Sequence, residues 1–294
     1  MSRSLLLVGL VSLVMPYTTL AQGGAADAAG APADPFARDV AALRRALGLA
    51  TFNVWGISCG SILGQACLKV DPQGIRAIVL DGIVPLDARG TPWAWQATRW
   101  YVRDLDRLDE LCRAQPDCGR RYPDLAERVR ATAASVQDDP VAIAVRDREV
   151  HPSGTARVFA EVAGFLPFKL LYEQSELPTL PGLIHAWGDA VERRDEATLK
   201  LAVLIRDGFF DSSRGMANAV RCLDGDVEAQ LVAGRADLET EPVLASAIGS
   251  EAFYEGFAAL CREHGMAPRD AAGYAPVESD VPALLLAGDM DPIT

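Results

Sequence analysis

The stretch FNVWGISCG, Phe52 to Gly60, constrains this chain more than any other. Thr51 to Trp55 is β-branched and aromatic and reads as a short buried strand. Ser61 to Val70 has apolar residues at Ile62, Leu63, Ala66, Cys67 and Val70, the spacing of a helix with one covered face. Between them stands Gly56-Ile57-Ser58-Cys59-Gly60, a G-x-S-x-G pattern on a strand-to-helix turn. Such a turn is strained, so its serine projects from the sheet. The helix start then aims backbone N–H groups at charge developing on a substrate carbonyl. A glycine-rich turn without chemistry would show the same short pattern, and the flanking strand and helix are what select the nucleophile elbow. Ser58 is the expected nucleophile and the Cys59 N–H an expected oxyanion donor. Side chains at 56 and 60 are both expected to collide with neighbouring elements.

Upstream, Arg3, the apolar run Leu5 to Met15 and Thr19-Leu20-Ala21 form the three parts of a signal peptide over residues 1–21. That run is too short to span a membrane, and it predicts a secreted or periplasmic protein. Residues 22–36, rich in Ala, Gly, Pro and Asp, read as a flexible linker. Asp39 to Leu49 predicts a helix with Val40, Leu43 and Leu47 on one face, stopped by Gly48. Ile75 to Leu80 is a second buried strand. Strand, helix and strand in succession imply a right-handed βαβ unit and a parallel sheet, over residues 37–87.

From residue 88 to 276 the pattern is mostly helical. Pro92 to Ala114 and Pro123 to Gln137 read as helices and Pro140 to Val150 as a hairpin. Further helices run from Thr155 to about Leu260, broken at Pro167, Pro178, Pro181, Gly208 and Gly215. Residues 277–294 return to a strand, Val281 to Ala287, and the turn Gly288-Asp289-Met290-Asp291-Pro292. A chain of 294 residues with 50% hydrophobic content can bury a large core. Its net charge of −12 argues against nucleic acid or an anionic membrane surface as partner.

DVAALRRALGLATFNVWGISCGSILGQACLKVDPQGIRAIVLDGIVP and the closing PVESDVPALLLAGDMDPIT resemble the secreted bacterial tripeptidyl aminopeptidases, which are α/β-hydrolases related to proline iminopeptidases. Cys112-x5-Cys118 with Arg121-Tyr122-Pro123, and Gly215-Met216 with Ala219-Val220-x-Cys222, are similar to the cap of that family. The resemblance runs from about Asp39 to Thr294. It implies an α/β-hydrolase fold, a partial parallel sheet with a large helical cap inserted between its strands. It also implies a serine exopeptidase that releases residues or short peptides from free N-termini through an acyl-enzyme at Ser58. Asp291, in the turn after a strand, matches the triad acid, with Asp81 the competing candidate and Asp289 a turn residue. Asp224 matches an acidic cap position that would take the substrate's free amine. No cofactor or metal is implied, and the partner is a peptide or small ester. An esterase on the same scaffold and a non-catalytic binding protein are the alternative readings.

Two departures from the family bear on activity. Its histidine follows a further strand, whereas the histidines here, His151, His185 and His264, all stand in the cap block and none matches the base. Its first strands and its His-Gly-Gly loop have no counterpart before Asp39. The chain therefore looks incomplete at both ends of the hydrolase core and is expected to be inactive as given. With the leader cleaved, the open edge of the Thr51–Trp55 strand is expected to promote self-association, whereas a retained Leu5–Val14 run could pair there as a surrogate strand. Six cysteines permit fifteen full pairings, and six reduced thiols would suit a cytoplasmic protein. Cys59 and Cys67, roughly 12 Å apart on one helix, are out of disulfide reach of each other. The resemblance implies the pairs Cys112–Cys118 and Cys222–Cys261, leaving the elbow thiols free.

Overall fold

Helix α1 (Pro35–Ala46) starts where the Asp34 carboxylate accepts from the Phe36 and Ala37 N–H groups at 2.9 and 3.1 Å. Pro35 at its first position costs no hydrogen bond, and Gly48, at φ +66°, turns the chain just past its end. The buried residues of α1 are Ala37 and Ala41, with Val40 packed beside them, while Leu43 and Leu47 are about half exposed. This corrects the expected apolar face: small alanines let the helix lie close to its neighbour, which periodicity alone does not distinguish from a leucine stripe.

The computed structural model describes residues 34–86, 93–210, 214–224, 241–248, 251–267 and 275–293, with isolated positions between 225 and 240. The expected signal peptide and nearly all of the expected linker lie outside the described residues. The chain divides into one unit made of Met1–Ala88, Arg269–Gly288 and Thr294, and a second made of Arg89–Pro268 and Asp289–Ile293.

The first unit is a parallel sheet of three strands, β1 (Phe52–Ile57), β2 (Ile75–Asp81) and β5 (Ala283–Leu286), in the order β1-β2-β5. Helix α2 (Cys59–Val70) makes the crossover from β1 to β2. Ile78 and Leu80 of β2 pack with Ala66, Cys67 and Leu68 of α2 and with Ala37 of α1. Arg44 ties α1 to the end of α2 through the Asp71 carboxylate at 2.8 Å, and also donates to the Leu49 and Ala50 carbonyls. The opposite face of the sheet is different. Trp55, Val79 and Leu284 are aligned across it, as are Ile57, Asp81 and Leu286, and the large apolar side chains of these rows at both edges are 40–57% exposed.

The second unit is helical: α3 (Trp93–Ala114), α4 (Pro116–Arg121), α5 (Leu125–Ser135), α6 (Ala160–Tyr172), α7 (Leu180–Glu192), α8 (Glu196–Phe210), α9 (Arg214–Asp224), α10 (Pro242–Ile248) and α11 (Glu251–Glu263). An antiparallel hairpin joins β3 (Val141–Ala144) to β4 (Thr155–Val158), so its second strand lies beyond the expected Pro140–Val150 segment. Helix α6 is central, and Phe165, Phe168 and Leu171 on it are buried with Tyr101 and Leu105 of α3 and Leu125 of α5. Tyr101 meets Phe168 edge-on at 5.4 Å, and its hydroxyl donates to the Gly164 carbonyl at 2.8 Å.

Pro167 does not break α6, contrary to expectation. Its missing N–H would leave the Ala163 carbonyl without a donor. The indole N–H of Trp187 on α7 supplies one at 2.8 Å, inside the protein. Gly208 likewise lies within α8 instead of ending it. Among the described residues no helix is long and apolar enough to cross a membrane.

Candidate active site

At the C-terminal end of β1 the chain must turn sharply to enter α2. Gly56, the last buried residue of the strand, makes the turn possible: a Cβ on it would stand 2.2 Å from the Gly60 carbonyl oxygen and 2.6 Å from its carbon. These are backbone atoms that cannot swing aside. Gly60 is otherwise, since a Cβ there meets nothing within 4 Å. The expectation that both glycines of the motif are sterically required holds for Gly56 alone. Gly60 is already in the first turn of α2, where a side chain points away from the strand.

Ser58 sits at φ +52°, ψ −121°, a conformation that L residues avoid. It is the N-cap position of α2, yet its side chain makes no capping hydrogen bond. A serine at an N-cap normally accepts from the second or third helical N–H. Here, at this backbone conformation, Oγ is not spent on the helix. The backbone around it is held firmly instead. The Ser58 N–H donates to the Asp81 carbonyl at 2.8 Å, and the Ser58 carbonyl accepts from the Ser61 N–H at 2.8 Å and the Ser61 hydroxyl at 2.6 Å. Cys59, the first residue of α2, has an exposed thiol, and its N–H is one of the helix-start donors without an intrahelical acceptor.

Three residues that the motif did not flag complete the support. Ser61 is fully buried, and its hydroxyl accepts from the Val84 N–H at 2.9 Å. Gln65, one turn on, donates to the Val84 carbonyl at 2.8 Å and accepts from the Leu86 N–H at 3.4 Å. Together they bind the loop after β2 to the elbow helix. Gly64 lets that helix approach the sheet, since a Cβ there would meet Leu80 and Ile78 side-chain tips at 3.0 and 3.1 Å. The sequence signal was available as small or polar residues at 61, 64 and 65 on a helix with an apolar side. Cys67, buried under the same helix, has its thiol pushed up to about 12, first by burial and then by the Asp34 and Asp71 charges. That thiol is inert at neutral pH.

Asp81, the competing acid, ends β2 directly beside the elbow strand and gives its backbone carbonyl to Ser58. Asp291 belongs to the second unit, with the turn Asp289–Ile293. Its Oδ1 accepts from the Ile293 N–H at 2.9 Å, and its neighbours Met290 and Ile293 are buried among Tyr101, Leu105 and Leu108 of α3. Asp224 is the last residue of α9, and its side chain lies outside the described residues. His151 faces the Asp207 carboxylate at 2.8 Å; burial alone would raise that carboxyl, but the Arg206 and His151 contacts together hold it below its ordinary range. His185 bonds the Pro123 carbonyl at 3.1 Å and leans on the Tyr122 ring, and His264 is exposed just after α11.

Cys112 is bonded to Cys118 and Cys222 to Cys261. Both bridges lie in the helical unit, and the two elbow cysteines are free.

No curated protein matches the chain. A family model described as the alpha/beta hydrolase fold matches residues 22–133, the segment that holds β1, the elbow, α2 and β2. With the parallel sheet, its crossover helix and the strained serine between them, the fold is that of the α/β-hydrolases.

Proposed function

We propose that this hydrolase core belongs to a serine exopeptidase in which Ser58 attacks the carbonyl of a residue near a free peptide N-terminus. The observation that carries this reading is the Ser58 backbone, at φ +52° with a hydroxyl withheld from capping its own helix. In the acyl transfer Oγ forms the new bond to carbon, its proton passes to a base, and the developing oxyanion is met by the Cys59 N–H at the start of α2. Asp291 is the carboxylate that orients the base and offsets its positive charge. Asp224 is assigned to the substrate ammonium. None of the three histidines is assigned as base, because His151 and His185 are committed to Asp207 and to Pro123 and His264 stands in solvent. The two disulfides support export to an oxidising compartment.

The test uses aminoacyl and peptidyl chromogenic amides, free or acetylated at the N-terminus, on the 294-residue chain beside Ser58→Ala. Turnover is expected to be low alone, because a missing base typically removes about 10² or more in rate. Added imidazole, as a diffusible base, is expected to raise it for free N-termini only and not in Ser58→Ala. Turnover that persists in Ser58→Ala would overturn the nucleophile. Equal turnover of acetylated amides and simple esters would move the reading to an esterase.

A further inference from the structure

Asp104 is a buried carboxylate for which the elbow chemistry has no use. It lies on α3 in one stripe with Tyr101, Leu105 and Leu108, which share a buried core with Met290 and Ile293. Its side chain is fully buried. Oδ1 is paired to Arg103 at 2.7 Å, whereas Oδ2 is buried with no hydrogen-bond partner among the described residues. One turn along, Arg107 reaches Asp289 at 3.8 Å, so the same helix touches both ends of the Asp289–Ile293 turn.

The charges around Asp104 are of both signs. Its own helix offers Arg103 and Arg107. The turn presents Asp289 and Asp291, whose charges disfavour ionisation of Asp104. Helix α5 presents Arg130, which acts on Tyr101 and is engaged by Glu241. The residues that α6 and α10 add to this core, Phe165, Phe168, Leu171 and Leu244, are apolar. Burial raises the Asp104 carboxyl from 3.8 to about 6 against the hydrogen bond and charge of Arg103, with Asp291 and then Asp289 adding smaller upward pushes.

We propose that Asp104 is a positioning residue for Asp291: neutral, it lets the Asp289–Ile293 turn seat on α3, and ionised, it repels that turn and loosens it. The proposal rests on the reading of Asp291 as triad acid. Buried groups that disfavour their own charged form destabilise the state that buries them once they ionise. The folded form binds the Asp104 proton more tightly than an open form does. Seating is therefore undiminished below about pH 4, falls as pH rises toward 6, and stays at its lower level above that.

The Ile293 N–H, bonded to Asp291, reports on the turn directly. Hydrogen exchange on the full chain is expected to show its protection factor falling about tenfold between pH 5 and pH 7.5, if opening restores the ordinary carboxyl affinity. In Asp104→Asn, which keeps the shape and removes the charge, the fall is expected to vanish. A purely structural role for Asp104 would lower protection equally at both pH values. Parallel pH profiles in the two proteins would overturn the proposal. Should Asp104→Asn not fold, a carboxyl carbon NMR titration of the unchanged chain decides it: a midpoint near 6 supports the proposal, and one in the ordinary carboxylate range overturns it. Neither readout involves Ser58, so failure here leaves the nucleophile standing, and failure at Ser58 leaves the Asp104 titration standing.

Discussion

The elbow and the Asp289–Ile293 turn lie far apart in the chain and are built on opposite principles. The elbow is fixed by backbone: Gly56 has no room for a single methyl, Ser58 is held by three hydrogen bonds, and Ser61 and Gln65 lock the adjoining loop. The Asp289–Ile293 turn is fixed by side chains, through Met290 and Ile293 in an apolar core and through Arg107 on α3. A nucleophile has to project at one angle, which backbone strain secures independently of pH.

The two largest expected effects break the elbow and the longer disulfide. Gly56→Ala places a Cβ 2.2 Å from a carbonyl oxygen, and a backbone clash of that kind costs about 3 kcal/mol or fails to fold, by denaturant titration. Its counterpart in the helical unit is the bridge from α9 to α11. Replacing Cys222 and Cys261 by serine is expected to remove about 4 kcal/mol, against about 2 for the shorter Cys112–Cys118 loop, by the entropy of loop closure. Equal losses would show that strain or packing, not loop length, sets the difference.

Next in size is Trp187→Phe, which leaves the Ala163 carbonyl without its donor and is expected to cost about 1–3 kcal/mol. Pro167→Ala in the same background returns a helical N–H to that carbonyl and is expected to recover much of the loss. Simple additivity of the two changes would show that the indole bond is not what makes the proline tolerable.

A smaller effect concerns the sheet. β1 is an edge strand among the described residues, without charge or proline, and Trp55 on it is 57% exposed. The expected self-association should show in light scattering and weaken in Trp55→Lys. Val54 is a poor site for that change, because it packs under α2. A monodisperse monomer before substitution would contradict the expectation. Smallest of all is Gly60→Ala, which enters open space in a helix and is expected to be neutral or to stabilise by up to about 1 kcal/mol.

These contrasts explain what the sequence could disclose. The elbow was legible because its strain must be written in glycine at a fixed distance from serine. The parallel βαβ arrangement is legible because two apolar runs of strand length flank a one-sided helix, although the first, expected as a buried strand, leaves Trp55 57% exposed on an edge. The roles of Gly64 and Ser61 are not legible in the sequence because they depend on distances to β2 and its loop, which no local pattern states. Pro167 misled for the same reason, since the group that satisfies Ala163 lies on another helix. Leu43 and Leu47 misled because periodicity marks a stripe without saying which residues are small enough for close approach. The short β4 gave too few residues to show alternation.

The central claim is that the strained serine is the nucleophile, and site mapping with a fluorophosphonate probe tests it most directly. Incubation of the full chain with imidazole present, followed by tryptic mass spectrometry, should place the probe on Ser58, with no labelling there in Ser58→Ala and little in unfolded chain. A probe found on other serines at equal rates, or none on Ser58 while the protein is folded, would contradict the account.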